Sequence, residues 1–206
     1  LFASNPSSGY SRMMRELPTI ALFAKFPRAG QAKTRLAPLL GDAGAAQVHR
    51  RLVERTLVTM RDSGLPFAVC YTGAGHDEFS AWLGADVHLV QQGSGDLGTR
   101  LARVSGPAIV LGADIPGLTA QHLRDAAKAL DEVPVVIGPA SDGGYYLLGF
   151  REQIPAIWRD MAWGTDVVLH DTEVRLRDLD LAYRKLGVLD DCDRPEDLAN
   201  WPDLVS

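Results

Sequence analysis

Residues 22–38 read LFAKFPRAGQAKTRLAP. An apolar run spanning 19–26 closes into a loop that carries Lys25, Arg28, Lys33 and Arg35 with no acid among them. A continuous apolar run suits a strand buried on both faces, as in a parallel sheet. Gly30 and two prolines keep the loop compact, so main-chain N–H groups can approach a ligand closely. Fixed cations and free N–H donors after a first strand are what a phosphorylated ligand requires. A solvated basic loop is the plainer reading, and the segments downstream weigh against it.

The chain as a whole is acidic, with 26 Asp and Glu against 21 Lys and Arg and a formal charge of -5. That balance argues against a nucleic-acid partner, which would call for a broad basic face. Any anion site is therefore local. A length of 206 residues suits one α/β domain. We expect it over 15–206, with 1–14 a flexible extension or tag and Met13 or Met14 a candidate native start. No apolar run is long enough for a membrane span. Cys70 and Cys192 lie far apart without metal-ligand spacing, and a cytoplasmic location fits them. Cys70, within PFAVCYT, is expected to be a buried thiol.

Periodicity predicts strands at 19–26, 66–72, 86–90, 108–111, 135–137, 145–150 and near 185–189. Between them, Asp42 can cap a helix over 43–62, whose apolar positions Val48, Leu52, Val53, Leu57 and Met60 share one face. Further helices are expected at 77–83, at 97–104, from the Thr119 cap to Leu130, after Thr165, and at the C-terminus. Alternating strands and helices predict a mostly parallel sheet covered on both faces. The SDGGYY insertion between two strands predicts that the sheet is mixed near one edge.

Several constellations stand at predicted strand ends, where open α/β sheets bind ligands. In AIVLGADIPGLT, Asp114 ends a strand of small apolar residues. Its carboxylate suits Mg2+ or Mn2+, or merely caps a turn before Pro116. In ASDGGYYLLG, Asp142, Gly143, Gly144 and Tyr145 make a turn where a ligand can lie against main chain. In DDCDRPEDL, Asp190, Asp191 and Asp193 crowd together and would repel one another unless solvated or shared with a cation. Asp193 also reads as a helix cap. Trp163, Gly164 and Thr165 read as the start of a helix or as a substrate wall, the former preferred. Gly93, Gly95 and Gly98 match GxGxxG, the pattern of a dinucleotide-dependent oxidoreductase. The short helix behind them and their place in mid-chain make that a minority reading. The histidines are scattered and form no ligand pair.

Taken in order, KFPRAGQAKTRLAPLLG, QGSGDLGTRL, VLGADIPGLT, IGPASDGGYYLLGF, WGTDVVL and LDDCDRPEDL resemble the bacterial DUF2064 family. That family is glycosyltransferase-like and belongs to the nucleotide-diphospho-sugar transferase superfamily. The AKTRLAP and DGG segments also resemble 2-phospholactate guanylyltransferase. The resemblance implies a GT-A, Rossmann-like three-layer α/β fold with a mostly parallel mixed sheet. It implies that Arg28, Lys33 and Arg35 bind nucleotide phosphates, with Lys25 and Gly30 in the same loop. It implies that Asp114 binds the metal with Asp191 or Asp193, and that Gly93, Gly95, Asp96 and Leu97 lie beside the base. The expected reaction is glycosyl transfer from a nucleotide-sugar to a small acceptor, with Asp114, Asp142 and Lys33 as catalytic groups. Acceptor contacts are then expected from Asp142, Gly143, Gly144, Tyr145 and Trp163. Nucleotidyl transfer from a triphosphate to a phosphorylated acceptor, with release of pyrophosphate, is the alternative. Two departures stand out. GAD carries one acid where glycosyltransferases commonly carry two, and the early glycine-rich loop of nucleotidyltransferases is absent.

Overall fold

Strand β1 (Thr19–Lys25) lies inside the sheet of the computed structural model, which describes residues 16–205. The expected extension over 1–14 falls outside the described residues. β1 is flanked in parallel by β2 (Phe67–Thr72) and β4 (Ala108–Leu111), with Leu22 level with Val69 and Leu111. This double flanking is why its sequence is apolar without alternation. Beyond β2 comes the short edge strand β3 (Leu89–Gln91). On the other side follow β6 (Tyr145–Phe150), β5 (Val135–Pro139) and β7 (Tyr183–Lys185). The order is β3-β2-β1-β4-β6-β5-β7.

The sheet is mixed toward one edge, as expected, with the reversed strand two places in from β7. β6 runs antiparallel between β4 and β5, and β5 and β7 then pair in parallel. A tight 140–144 turn can only reverse the chain, so β6 pairs back on β5. Its all-apolar core residues then suit an interior position better than an edge.

Side chains alternate along β1 into two layers. Ile20 and Leu22 pack with Val53, Leu57 and Met60 of α1 (Ala37–Ser63), Phe79 of α2 (His76–Leu83) and Leu123 and Ala126 of α4 (Ala120–Ala129). Ala21 faces the opposite layer with Leu101 of α3 (Leu97–Leu101), Ile157 and Trp158 of α5 (Pro155–Trp158) and Leu176 of α6 (Val168–Asp178). A three-layer α/β architecture results.

α1 starts earlier than the Asp42 cap implied, but Gly41 breaks it with φ 70° and ψ 168°. The amphipathic stretch therefore begins just after Gly41, and all five residues of its predicted apolar face are buried. The helix after Thr165 begins later, at Val168, and α5 was not foreseen because four residues are too few to show a period. The strand expected near 185–189 lies earlier, as β7 over Tyr183–Lys185, with an isolated Ala140–Leu189 bridge beyond it. The expected C-terminal helix is two 3-10 turns, Pro195–Asn200 and Pro202–Leu204, because Pro202 lacks the N–H needed to continue. A small separate cluster seats this tail, with Leu198 and Leu204 against Leu36, Val48 and Leu52. Cys70 and Cys192 are free and buried, and burial pushes each thiol up to about 11.

Candidate active site

After β1 the chain winds one way, to β2, and β4 lies on the other side. A crevice opens at such a switch, outside the carboxyl ends of the strands. Three segments meet there: the basic loop after β1, Gly112 to Asp114 after β4, and the 190–193 acids.

Lys33 organises the meeting point. Its backbone is left-handed, with φ 48° and ψ 42°, which turns the side chain inward. Only 5% of that side chain is exposed. Its ammonium lies 2.6 Å from Asp114 Oδ1, pairs closely with Asp193, and donates to the Cys192 carbonyl at 2.7 Å. Cys192 N–H donates to the Asp114 carbonyl at 2.8 Å, so main chain ties the two acidic segments together. Arg35 reaches the other oxygen of Asp193 at 3.1 Å. Desolvation opposes charge on both Lys33 and Asp114, but their attraction outweighs it. Lys33 is held above its ordinary pKa and Asp114 below its own.

The Asp114 side chain remains 48% exposed, so it faces both the ammonium and the open cleft. The cleft here has a volume of about 340 Å³ and is lined by Lys25, Gln31, Arg35 and His49 as well as the central trio. His49 was missed in the sequence, where a lone histidine on a helix carries no signal. It sits against the Lys25 carbonyl at 2.9 Å, and burial lowers its pKa. Lys25 itself donates to the Gln31 carbonyl at 2.9 Å. Arg28 turns away: it pairs with Glu78 at 2.8 Å and donates to the Gly73 carbonyl at 3.1 Å, outside the cleft lining. Gly30, at φ 73°, shapes the loop turn.

The acids divide their work differently from the sequence reading. Asp193 is not the cap of the following turn. Asp197 accepts the N–H groups of Asp193 and Arg194, at 2.9 and 2.7 Å, which leaves the Asp193 carboxylate to Lys33. Asp191 takes no part in that pairing. Its pKa is raised by burial first and then by the negative charges of Asp142 and Asp193. Among the described residues, no three His, Cys, Asp or Glu side chains gather as a metal site. The donor set is nonetheless suited to a hard divalent cation. Two carboxylates and a main-chain carbonyl already converge on one positive charge.

A second, apolar pocket of about 210 Å³ opens beside the first, with Gly112 in its wall two residues from Asp114. Phe23, Leu97, Val110, Tyr145, Trp163 and Val168 are among its lining residues, with Asp142, Gly144 and Thr165. Asp142 Oδ1 accepts the Gly144 N–H at 2.9 Å, fixing the carboxylate at the rim. Gly143, at φ 88°, lies against the Asp166 main chain. Trp163, Gly164 and Thr165 thus wall a pocket rather than begin α6.

Of the glycine-rich turn, only Leu97 reaches either cleft. Asp96 caps α3 by accepting the Thr99 N–H at 2.8 Å. Gly93 lies under Arg103, Gly95 under Thr99 and Gly98 against the Trp158 carbonyl, so each glycine answers to packing. The turn follows the edge strand β3, and Leu97 alone extends from it to the ends of β1 and β4. These positions do not favour dinucleotide binding.

No curated protein matches the chain in sequence. Among solved structures it is similar to a candidate nucleotide-diphospho-sugar transferase from Desulfovibrio desulfuricans G20. The two are 30% identical over 88% of this chain and 84% of that one, with a TM-score of 0.82. It also resembles Rv0371c of Mycobacterium tuberculosis H37Rv in complex with manganese, at 18% identity over 92% and 98% of the chains and a TM-score of 0.53. A CMP:2-keto-3-deoxy-manno-octonic acid synthetase complexed with CTP shares the fold at 11% identity, over 92% and 98%, with a TM-score of 0.53. The family model described as "Uncharacterized protein conserved in bacteria (DUF2064)" matches residues 56–165. By that match and by the 30% identity to the Desulfovibrio protein, the chain belongs to the DUF2064 family.

Proposed function

We propose that this protein is a metal-dependent transferase that moves a sugar from a nucleotide-diphospho-sugar to a small acceptor. The observation that carries the reading is the pair of adjoining pockets at one strand end. One is built on Lys33, Asp114 and Asp193, and the other is apolar with Asp142 at its rim. The Desulfovibrio relative, described as a candidate nucleotide-diphospho-sugar transferase, supports it. The fold also holds CTP in the synthetase and manganese in Rv0371c.

In this reading the diphosphate lies in the charged cleft, where Lys25 and Arg35 offset its charge. Asp114 and Asp193 would hold the divalent cation. When bound, Mg2+ or Mn2+ neutralises charge developing on the departing nucleoside diphosphate. Asp142 accepts the acceptor hydroxyl proton as its oxygen attacks the sugar carbon and the bond to the diphosphate breaks. The cations of the cleft would equally suit a triphosphate, which keeps nucleotidyl transfer as the competing outcome.

Thermal shift with nucleoside triphosphates and nucleotide-sugars, each with and without Mg2+ or Mn2+, tests the proposal. A metal-dependent shift with a nucleotide-sugar is expected. Asp114→Asn should keep the fold and lose turnover by about 10²–10³. A shift confined to triphosphates, with pyrophosphate released, would replace the reading by nucleotidyl transfer. No shift with either class would remove it.

A further inference from the structure

We infer that the apolar pocket beside Asp114 takes an uncharged, ring-sized molecule bearing a hydroxyl, and that it rejects a phosphorylated one. The inference rests on the transferase reading for its role as acceptor site, but its chemistry stands on the pocket alone.

No Lys, Arg or His lines this pocket. Neighbouring guanidinium groups are committed elsewhere. Arg100 donates to the Gly95 carbonyl at 2.8 Å, and Arg175 to the Ile157 carbonyl at 3.1 Å. The charge at the rim is negative. Asp142 lines the opening, and its carboxylate is the one charged group among the described lining residues. An anion entering here would lose hydration, meet the Asp142 carboxylate and find no cation in the lining. A neutral ring meets the opposite conditions. Tyr145 and Trp163 offer flat apolar surface, and the free Asp142 oxygen accepts a hydroxyl. A volume of about 210 Å³ suits one ring with a short substituent.

Gly112 gives the site a handle. It lines the pocket, and a Cβ built on it meets nothing within 4 Å. A larger side chain there starts in open space at the pocket wall, and a leucine is expected to occupy part of the pocket. An uncharged acceptor also separates the two transfer chemistries, since nucleotidyl transfer to a phosphorylated acceptor needs a cation where this pocket has none.

Ligand-observed saturation-transfer NMR on the full chain, with benzyl alcohol and benzyl phosphate as probes, decides the matter. The quantity read is the signal lost in Gly112→Leu, whose melting temperature should match wild type. Benzyl alcohol should give such a signal, and benzyl phosphate one weaker by about tenfold or more. Asp142→Asn, which keeps the bond from Gly144, should narrow that gap, and it carries the test if Gly112→Leu fails to fold. Equal Gly112-dependent binding of the phosphate, or no Gly112-dependent signal from the alcohol, overturns the inference. A Gly112-dependent alcohol signal alongside a failed nucleotide panel keeps the neutral pocket and retires the transferase reading. The reverse result retires the neutral pocket alone.

Discussion

Gly143 shows how far a single residue can be constrained beside the cleft. Its φ of 88° is one that side chains rarely adopt, and a Cβ would run into the Asp166 main chain. Gly143 also accepts the Leu169 N–H at 3.0 Å, joining the turn to the start of α6. Gly143→Ala should therefore cost roughly 2 kcal/mol or more in urea unfolding, from strain and crowding together. Gly112, two residues from Asp114, has neither constraint. The contrast separates glycines that the fold needs from one that leaves room for a ligand. Lys33 is the converse case, since a left-handed lysine is uncommon. Its burial against two carboxylates supplies the attraction that holds it there.

At the scale of elements, the C-terminal 3-10 turn does more than end the chain. Asp197 satisfies the two N–H groups that would otherwise compete for Asp193. Leu198 seats the turn on α1. Asp197→Ala should lower stability by about 1 kcal/mol, as loss of a cap does. It should also weaken metal-dependent nucleotide binding by loosening Asp193, read as a smaller thermal shift with the same ligand. Asp197→Asn, which keeps an accepting oxygen, should restore most of both. The same element explains why three acids can crowd at 190–193. Asp193 faces a cation, while Asp191 bears the repulsion and is raised in pKa after burial.

The whole molecule's response to pH follows from the buried charges at the switch point. Asp114 is held below its unfolded value of 3.8, so the stability it contributes is present above that value and is lost as pH falls through its folded one. Lys33 is held above 10.5, so its contribution is present below that and is lost as pH rises through the higher folded value. His49 is lowered by burial, which removes stability as pH falls below 6.5 toward its folded value. Burial also raises the Cys70 and Cys192 thiols from 9.0 to about 11, so the stability they contribute is lost as pH rises above 9. Thermal unfolding across pH should thus show a plateau between about 6.5 and 9, an early acid slope and a steeper fall near pH 4. His49→Gln should erase the early slope and leave the later one. A wild-type slope in that variant would mean another group titrates there.

Much of this protein was decided by local sequence. The apolar run of β1, the spaced Val48 to Met60 face of α1 and the Thr119 cap each act through nearest neighbours, so period and cap chemistry announced them. The order of motifs carried the family, and Asp114 at a strand end pointed to the candidate site. What tertiary structure alone decided is which groups meet. Lys33 lies 159 positions from Cys192, and their bond exists only because β1 and the tail flank the same crevice. Arg28, in the same loop, was drawn to Glu78 of α2 instead. The interior place of β6 and the neutral pocket likewise depend on which elements pack together. Charge type and spacing are written locally, but the partner of a long, flexible cation is chosen by desolvation and by whichever carboxylate the fold brings within reach.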